Sequence, residues 1–442
     1  MLEHKYRWIL LLTASCFFYM FFKPIYILIL AFTIVIDYFV GIALEKEANR
    51  NTKKLILVLS LIANIGILVV FKYWNFLGDN LNSLLMFWGS DKKIPLLEIL
   101  LPIGLSFHTF QAMSYTIEVY RGNQKAEKHF GIYSLYVMFY PQLVAGPIER
   151  PQNVLHQLHE KISFSYANLK TGLLFILIGL VKKMVIADRM GGYVDSFYGD
   201  VNSMTFIPTV LAIIFYSFQI YCDFSGYSSI AIGTAKCLGV NLMTNFDKPY
   251  QSESIGEFWR RWHISLSTWF RDYVYFPLGG NRVSRLKVIR NISIVFMLSG
   301  IWHGANWTFV VWGALHAIFL IYENLTSKTP KIIRSRLVKQ LLVFVLVSLA
   351  WIFFRSQNFA QAFCVFDNLW EARIDLRLSQ VSALLSPFNL LLCILTIPLL
   401  FIIDNIKVST YRKHLLLFFI AGTLLIILFG KSNEAQFIYF QF

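Results

Sequence analysis

Apolar runs at 8–22, 24–44, 55–73, 96–118, 131–146, 170–187, 205–221, 224–240, 291–303, 306–322, 340–354, 387–403 and 415–430 follow one another along the chain, and this succession decides what it can fold into. A helix needs about 20 apolar residues to cross the hydrocarbon core of a bilayer. Several runs are shorter than that, so some must tilt, re-enter or lie within protein, and about 11 crossings are expected. Only 15% of the residues are charged and 57% are hydrophobic, whereas a soluble domain carries roughly 25% charged residues. A soluble fold cannot hide so much apolar surface, because its own exterior must face water. The expected fold is therefore all-α: a polytopic membrane protein of spanning, re-entrant and interfacial helices. With no internal repeat, low-complexity segment or long linker, one membrane domain is expected over 1–442, with N-terminal helices at 8–130, a core at 131–322 and C-terminal helices at 323–442.

Lys and Arg number 40 against 25 Asp and Glu, a net charge of +15. In a soluble chain that balance would point to nucleic acid. Here the cations cluster between apolar runs, the positive-inside pattern, so no nucleic-acid partner is expected and lipid is the surroundings. Lys5 and Arg7 place the N-terminus in the cytoplasm, as do Lys46, Arg50, Lys53 and Lys54 for the second loop. Lys328, Lys331, Arg334, Arg336 and Lys339 mark another cytoplasmic loop, and Lys407, Arg412 and Lys413 a further one. Loop 355–386 balances its charges and reads as external, and the last run leaves the tail from Lys431 outside. Charge does not orient 131–205. The basic start and the run from Trp8 share the outline of a signal peptide, but Phe17, Phe18 and Tyr19 continue the run, so a retained helix is expected. The five cysteines have neither CxxC nor metal-ligand spacing, so neither disulfides nor a structural zinc is expected.

Residues 241–290 break the apolar pattern. They hold Glu257-Phe258-Trp259-Arg260-Arg261-Trp262-His263 and then Trp269, Arg271 and Asp272, too polar for a lipid-facing span. Trp259, Trp262 and Trp269 at near-helical spacing suit an amphipathic helix lying in the membrane interface. A basic loop with Arg282, Arg285, Lys287 and Arg290 follows, then an outward arm at 291–303 and a return arm at 306–322. An arm that short spans roughly 20 Å against a core of about 30 Å, so its tip, Ser299 to Trp307, is expected to stop inside the membrane. Irregular backbone at that depth needs protein or a water-filled cavity beside it, and an ionisable residue there is a functional candidate. His303 is that residue: its imidazole can take a proton from a hydroxyl and return it to a leaving group. The plainer alternative is a buried histidine bonded to a neighbouring helix.

His316, within the return arm, reads as a satisfied core histidine. Asp223, in Cys222-Asp223-Phe224-Ser225-Gly226-Tyr227, is read at a break between two spans, where it either orients a histidine or holds a helix end. Asp37 is a second carboxylate in apolar surroundings. The tail, Gln436-Phe437-Ile438-Tyr439-Phe440-Gln441-Phe442, is too aromatic to float in water and should dock into protein or interface. It is either an anchor or, through the Tyr439 hydroxyl, an acyl carrier. A phenol with a pKa near 10 leaves more readily than a sugar alkoxide, so its ester could accept from a thioester and donate to a sugar.

These blocks resemble the bacterial branch of the membrane-bound O-acyltransferase family, which includes alginate and peptidoglycan O-acetylating proteins and, more distantly, the exporter of D-alanine to teichoic acids. The likeness runs from about Pro102 to the terminus and rests on ordered blocks: Gln142 to Ile148, Asp223 to Tyr227, Asn245 to Pro249, Glu257 to His263 and Gly300 to Gly304. Relatives often begin with one more apolar segment ahead of the first helix read here. The resemblance implies a helical ring, thin at its centre, with His303 as catalytic histidine and His263 on the cytoplasmic approach. It implies acetyl-CoA as donor, Tyr439 in an acyl-accepting motif, and an extracytoplasmic serine-hydrolase-like transferase that completes transfer to a surface polysaccharide. Localisation in the bacterial inner membrane follows from the same resemblance. Trp302, Asn306, Trp307 or backbone amides at the tip are candidates to steady the oxyanion; Arg260, Arg261 and Arg271 are candidates for the donor phosphates. Two rivals predict different chemistry: a transporter of an acylated intermediate, with His303 as proton relay, and a non-catalytic scaffold for an external transferase.

Overall fold

The computed structural model describes residues 3–144, 146–326, 335–370, 379–406, 413–431 and 437–438. All regular structure among them is helical. Among the described residues, six helices are long and apolar enough to cross a membrane: Pro24–Lys46, Arg50–Phe87, Phe206–Cys237, Trp307–Leu325, Arg336–Arg355 and Pro387–Asn405; Leu415–Phe429 is a shorter apolar helix. The chain packs as two compact units, Met1–Gly172 with Thr234–Met243, and Leu173–Gly233 with Thr244–Phe442.

In the first unit, the helix Arg50–Leu68 continues through a π-helical turn, Val69–Tyr73, into Trp74–Phe87. The run expected at 96–118 is helical only from Leu105 to Arg121. Pro95 and Pro102 lack the N–H a helix needs and bias the residue before them towards extended backbone. Side chains of the preceding helix take the place of the missing backbone bonds. Asn82 accepts from the Ile94 amide at 2.7 Å and donates to its carbonyl at 3.1 Å, and Asn75 does the same for Leu97 at 2.8 and 2.9 Å. The run expected at 131–146 is also broken, into Phe130–Met138 and Tyr140–Leu143, with Pro141 in the first turn of the second piece. Asp37 is fully buried and accepts from Ser60 at 2.7 Å and Asn64 at 3.0 Å. These small polar residues, one turn apart on the Arg50–Leu68 helix, satisfy it locally.

The second unit overturns the expected break at Asp223. Phe206–Cys237 is one continuous helix of 32 residues. The Asp-Phe-Ser-Gly sequence has the look of a helix end, but Asp223 is ion-paired to Lys183 at 2.7 Å. Gly226 is there for close packing: a Cβ would lie 2.8 Å from the Gly179 carbonyl oxygen. The Lys183 helix has a π-helical stretch, Val181–Ala187, leading into Asp188–Gly199. Its extra residue per turn accompanies a division of labour between adjacent lysines. Lys182 pairs with Asp404 at 2.7 Å, and Lys183 with Asp188 at 2.8 Å as well as Asp223.

The outward arm begins at Arg285, not at 291, and runs to His303, 19 residues and roughly 28 Å. Arg285, Lys287 and Arg290 are its first turns, and their charge disguised them as loop. A helix of that length matches a hydrocarbon core of about 30 Å, so its length does not hold the tip inside the membrane. The return helix is Trp307–Leu325. The two helices touch backbone to backbone: a Cβ on Gly300 would lie 2.3 Å from the Phe309 carbonyl oxygen, and one on Gly313 2.3 Å from that of Phe296.

Candidate functional site

His303 is the last residue of the outward helix; Gly304, extended, ends it, and Asn306 caps the next helix by accepting from the Thr308 amide at 3.0 Å. The imidazole is 3% exposed. Around it stand Trp302 and Trp312, each with its ring centre 5.0 Å away, and Phe354 at 5.2 Å, all near edge-on. Of the expected oxyanion donors, Trp302 is buried against His303. Asn306 spends both ends of its amide on structure, its Nδ2 donating to the Gln357 carbonyl at 2.7 Å. Trp307 is 50% exposed.

The Arg-Trp-His block is two short helices, Ile255–Arg261 and Ile264–Phe270, rather than one interfacial helix, and His263 between them is left-handed with φ +42°. Non-glycine residues rarely adopt that conformation, so something must hold it. Asn245 does: its carbonyl oxygen Oδ1 accepts from the Ser265 amide at 3.2 Å and the Ser265 hydroxyl at 2.9 Å, and its backbone carbonyl accepts from the Ile264 amide at 2.8 Å. Since Oδ1 is an acceptor, His263 Nδ1, 3.2 Å away, is the donor, which leaves the ring's lone pair on Nε2. Burial pushes the His263 pKa down to about 3, so the ring is neutral near pH 7. It packs on Phe224 at 4.6 Å and Trp302 at 6.2 Å, so Trp302 lies against both histidines. Trp262 and Trp269, expected at the membrane interface, are buried in the protein instead.

A cavity of about 570 Å³ opens beside this block, lined by Trp259, Arg260, Ser267, Thr268, Arg271, Phe296 and Ser299 among others. Ile292, Phe296 and Ser299 bring the outward helix into its wall, and His303 continues that spacing one turn beyond Ser299. Arg260 and Arg271 are both exposed and give the lining its cationic rim, with Arg271 Nε also paired to Asp272 at 2.8 Å. Arg261, expected with them, lies off the cavity and pairs with Glu257 at 2.7 Å. Glu323 of the return helix caps the Arg260 helix, accepting from the Ile255 amide at 2.7 Å and the Gly256 amide at 3.2 Å.

Asp223 does not bond a histidine. Its Oδ1 pairs with Lys183, and its Oδ2 accepts from the Ile438 amide at 2.8 Å. Phe437 and Ile438 are both buried, as expected of a tail that docks, and the Phe437 ring lies 4.6 Å from Tyr227 and 5.8 Å from Phe224. Tyr439 lies outside the described residues.

Residues 127–386 match the membrane-bound O-acyltransferase (MBOAT) family. This chain belongs to that family. The acyltransferase is 38% identical over 393 residues to the peptidoglycan O-acetyltransferase of Helicobacter pylori, which covers 81% of this chain and 73% of the relative. It is 37% identical over 370 residues to the probable alginate O-acetylase AlgI of Pseudomonas aeruginosa, covering 83% and 70%. A more distant similarity, 30% over 238 residues, links it to the teichoic acid D-alanyltransferase of Bacillus subtilis, covering 52% and 60%.

Two features of this O-acyltransferase escaped sequence reasoning. Asn245 sits in a polar block, but its grip on His263 depends on a turn that spacing does not reveal. His316 is fully buried, as expected of a core histidine, yet neither ring nitrogen has a hydrogen-bond partner among the described residues. It is enclosed by Trp259 at 4.9 Å and Trp312 at 5.0 Å, and Trp312 is also the ring that abuts His303. No sequence signal distinguishes such a histidine from a bonded one.

Proposed function

We propose that this acyltransferase takes an acetyl group from a cytoplasmic thioester, with acetyl-CoA as donor, and delivers it across the membrane for O-acetylation of a cell-surface polysaccharide. The observation that carries this reading is the cavity: a cationic rim at Arg260 and Arg271, an aromatic interior, and a wall formed by the helix that ends in His303. A donor with phosphates at one end and a thioester at the other matches that polarity. The names of the relatives, acting on peptidoglycan and alginate, support a polysaccharide as final acceptor.

In the proposed mechanism His303 removes the proton from an acceptor hydroxyl as its oxygen attacks the thioester carbonyl. The C–S bond breaks, and the departing thiolate takes the proton back from the imidazolium. Tyr439 is the proposed acceptor, and its aryl ester passes the acetyl group to an extracytoplasmic serine-hydrolase-like transferase that acylates the polymer. Trp302, buried against His303, is the proposed donor to the developing charge. His263, neutral and locked, orients the approach rather than shuttling protons. The reading includes an inner-membrane location, about 11 crossings in a ring with a thin centre, a cytoplasmic N-terminus and an external C-terminus.

The test is mass spectrometry of the C-terminal peptide after incubating membranes with isotopically labelled acetyl-CoA. Label on Tyr439 in the wild type and none in His303→Ala, with the variant still folded, is the expected result. Undiminished polymer acetylation by His303→Ala would refute the catalytic assignment.

A further inference from the structure

We infer that the Asp223-Phe224-Ser225-Gly226-Tyr227 motif is a docking cradle for the chain's own C-terminal segment, with Asp223 as the positioning residue. The inference concerns the placement of the tail and stands whether or not Tyr439 carries an acyl group.

Asp223, Lys183 and Asp188 form a buried cluster of one cation between two carboxylates, with Lys183 Nζ 2.7 Å from Asp223 and 2.8 Å from Asp188. Lys431, whose charge also bears on Asp188, belongs to the tail itself, so without the tail one lysine would have to serve two carboxylates away from water. The Ile438 amide supplies the missing donor to Asp223 Oδ2 at 2.8 Å, a charge-assisted bond formed only when the tail is in place. Asp223 and Tyr227 are one helical turn apart, so the face that offers the carboxylate also offers the aromatic ring. Phe437 lies against Tyr227 and Phe224 while Ile438 takes the carboxylate. A second anchor lies upstream, where the Lys431 amide donates to the Met184 carbonyl at 3.0 Å, one residue from Lys183. Lys431 and Ile438 are thus both tied to the elements that build the cluster.

The cradle also reaches the catalytic block. Phe224 contacts Phe437 and, 4.6 Å away edge-on, the His263 ring. Tail docking and the placement of His263 are therefore coupled through one side chain. This explains a carboxylate at a position where neither a histidine partner nor a helix end requires one.

Hydrogen exchange of the full-length protein in lipid nanodiscs, read on the peptide covering 431–442, tests the inference. Asp223→Ala should speed its exchange by about tenfold or more, the loss of a hydrogen bond to a charged group. Ile438→Pro removes the donated N–H without touching the cluster, should give the same loss of protection, and decides the matter if Asp223→Ala does not fold. Asp223→Asn, which keeps an oxygen for that amide, should retain more protection than Asp223→Ala. His303→Ala should leave protection unchanged, which separates docking from acyl transfer. In labelling with acetyl-CoA, Asp223→Ala should lower the rate of tail acetylation and leave the donor KM unchanged. Wild-type protection in both Asp223→Ala and Ile438→Pro would overturn the inference. Absence of label on the wild-type tail would instead count against the relay proposed above.

Discussion

Gly300 and Gly313 set how closely the two helices bearing His303 and Trp312 can approach, and replacing either with alanine tests whether that approach matters. A Cβ at Gly300 would lie 2.3 Å from the Phe309 carbonyl oxygen, whereas ordinary contact begins at 3.4 Å, so the helices must part by about 1.1 Å. Gly313 faces the Phe296 carbonyl at the same 2.3 Å. The obstacles are backbone atoms, which cannot step aside by rotating a side chain. Overpacking of this kind costs about 1–3 kcal/mol. A catalytic group misplaced by about 1 Å loses on the order of 100-fold in rate. Gly300→Ala and Gly313→Ala should therefore melt earlier in nanodiscs and transfer acetyl roughly 100-fold more slowly. Gly66, a helical glycine with nothing within 4 Å of a built Cβ, is the control: Gly66→Ala should keep both stability and rate. Wild-type transfer by Gly300→Ala and Gly313→Ala would refute the claim that this close packing positions His303.

Acid should destabilise the protein partly through His263. Its pKa is about 3 when folded and about 6.5 when unfolded, so the stability tied to its neutral form is complete above about pH 6.5. That stability is lost towards pH 3, by up to about 1.4 kcal/mol per pH unit. His263→Asn, which accepts the left-handed backbone and does not titrate, should flatten the decline of melting temperature between pH 7.5 and 5; parallel slopes would contradict the burial argument. The two neighbouring arginines should behave differently: Arg260→Ala should raise the KM for acetyl-CoA, while Arg261→Ala should lose only about 0.3–0.5 kcal/mol from its pair with Glu257. Initial rates across donor concentrations measure this, and equal effects on KM would count against the cavity as donor site.

The hairpin was legible in the sequence because Gly304 to Asn306 separates two apolar runs, although the charge of its first turns hid where the outward helix begins. The C-terminal helices were legible from the length and hydropathy of their apolar runs. The opposite errors at Asp223 and at 96–118 have one cause. Sequence patterns price a polar group or a missing backbone bond without knowing its partner, and those partners, Lys183, Asn75 and Asn82, lie on other helices or turns. Likewise the tryptophans of the Arg-Trp-His block fit an interface by composition, but Trp262 is enclosed by Phe246, Phe258 and Trp351. The cavity was not legible as a whole, since its wall is assembled from residues between Gly256 and Asn324. Arg260 and Arg271 could be named in advance; that Arg261 points elsewhere could not.

The pairing of Lys182 with Asp404 bears on how the protein is made. The two residues are 222 positions apart, so the ribosome emits the lysine long before its carboxylate exists. A lysine held in apolar surroundings without a counter-charge is costly. The helix carrying Lys182 therefore has to be sheltered, by water or by the insertion machinery, until Pro387–Asn405 arrives. Nascent chains truncated before Asp404 should remain extractable or be cleared by quality control, and completion of that late helix becomes the event that commits the membrane fold.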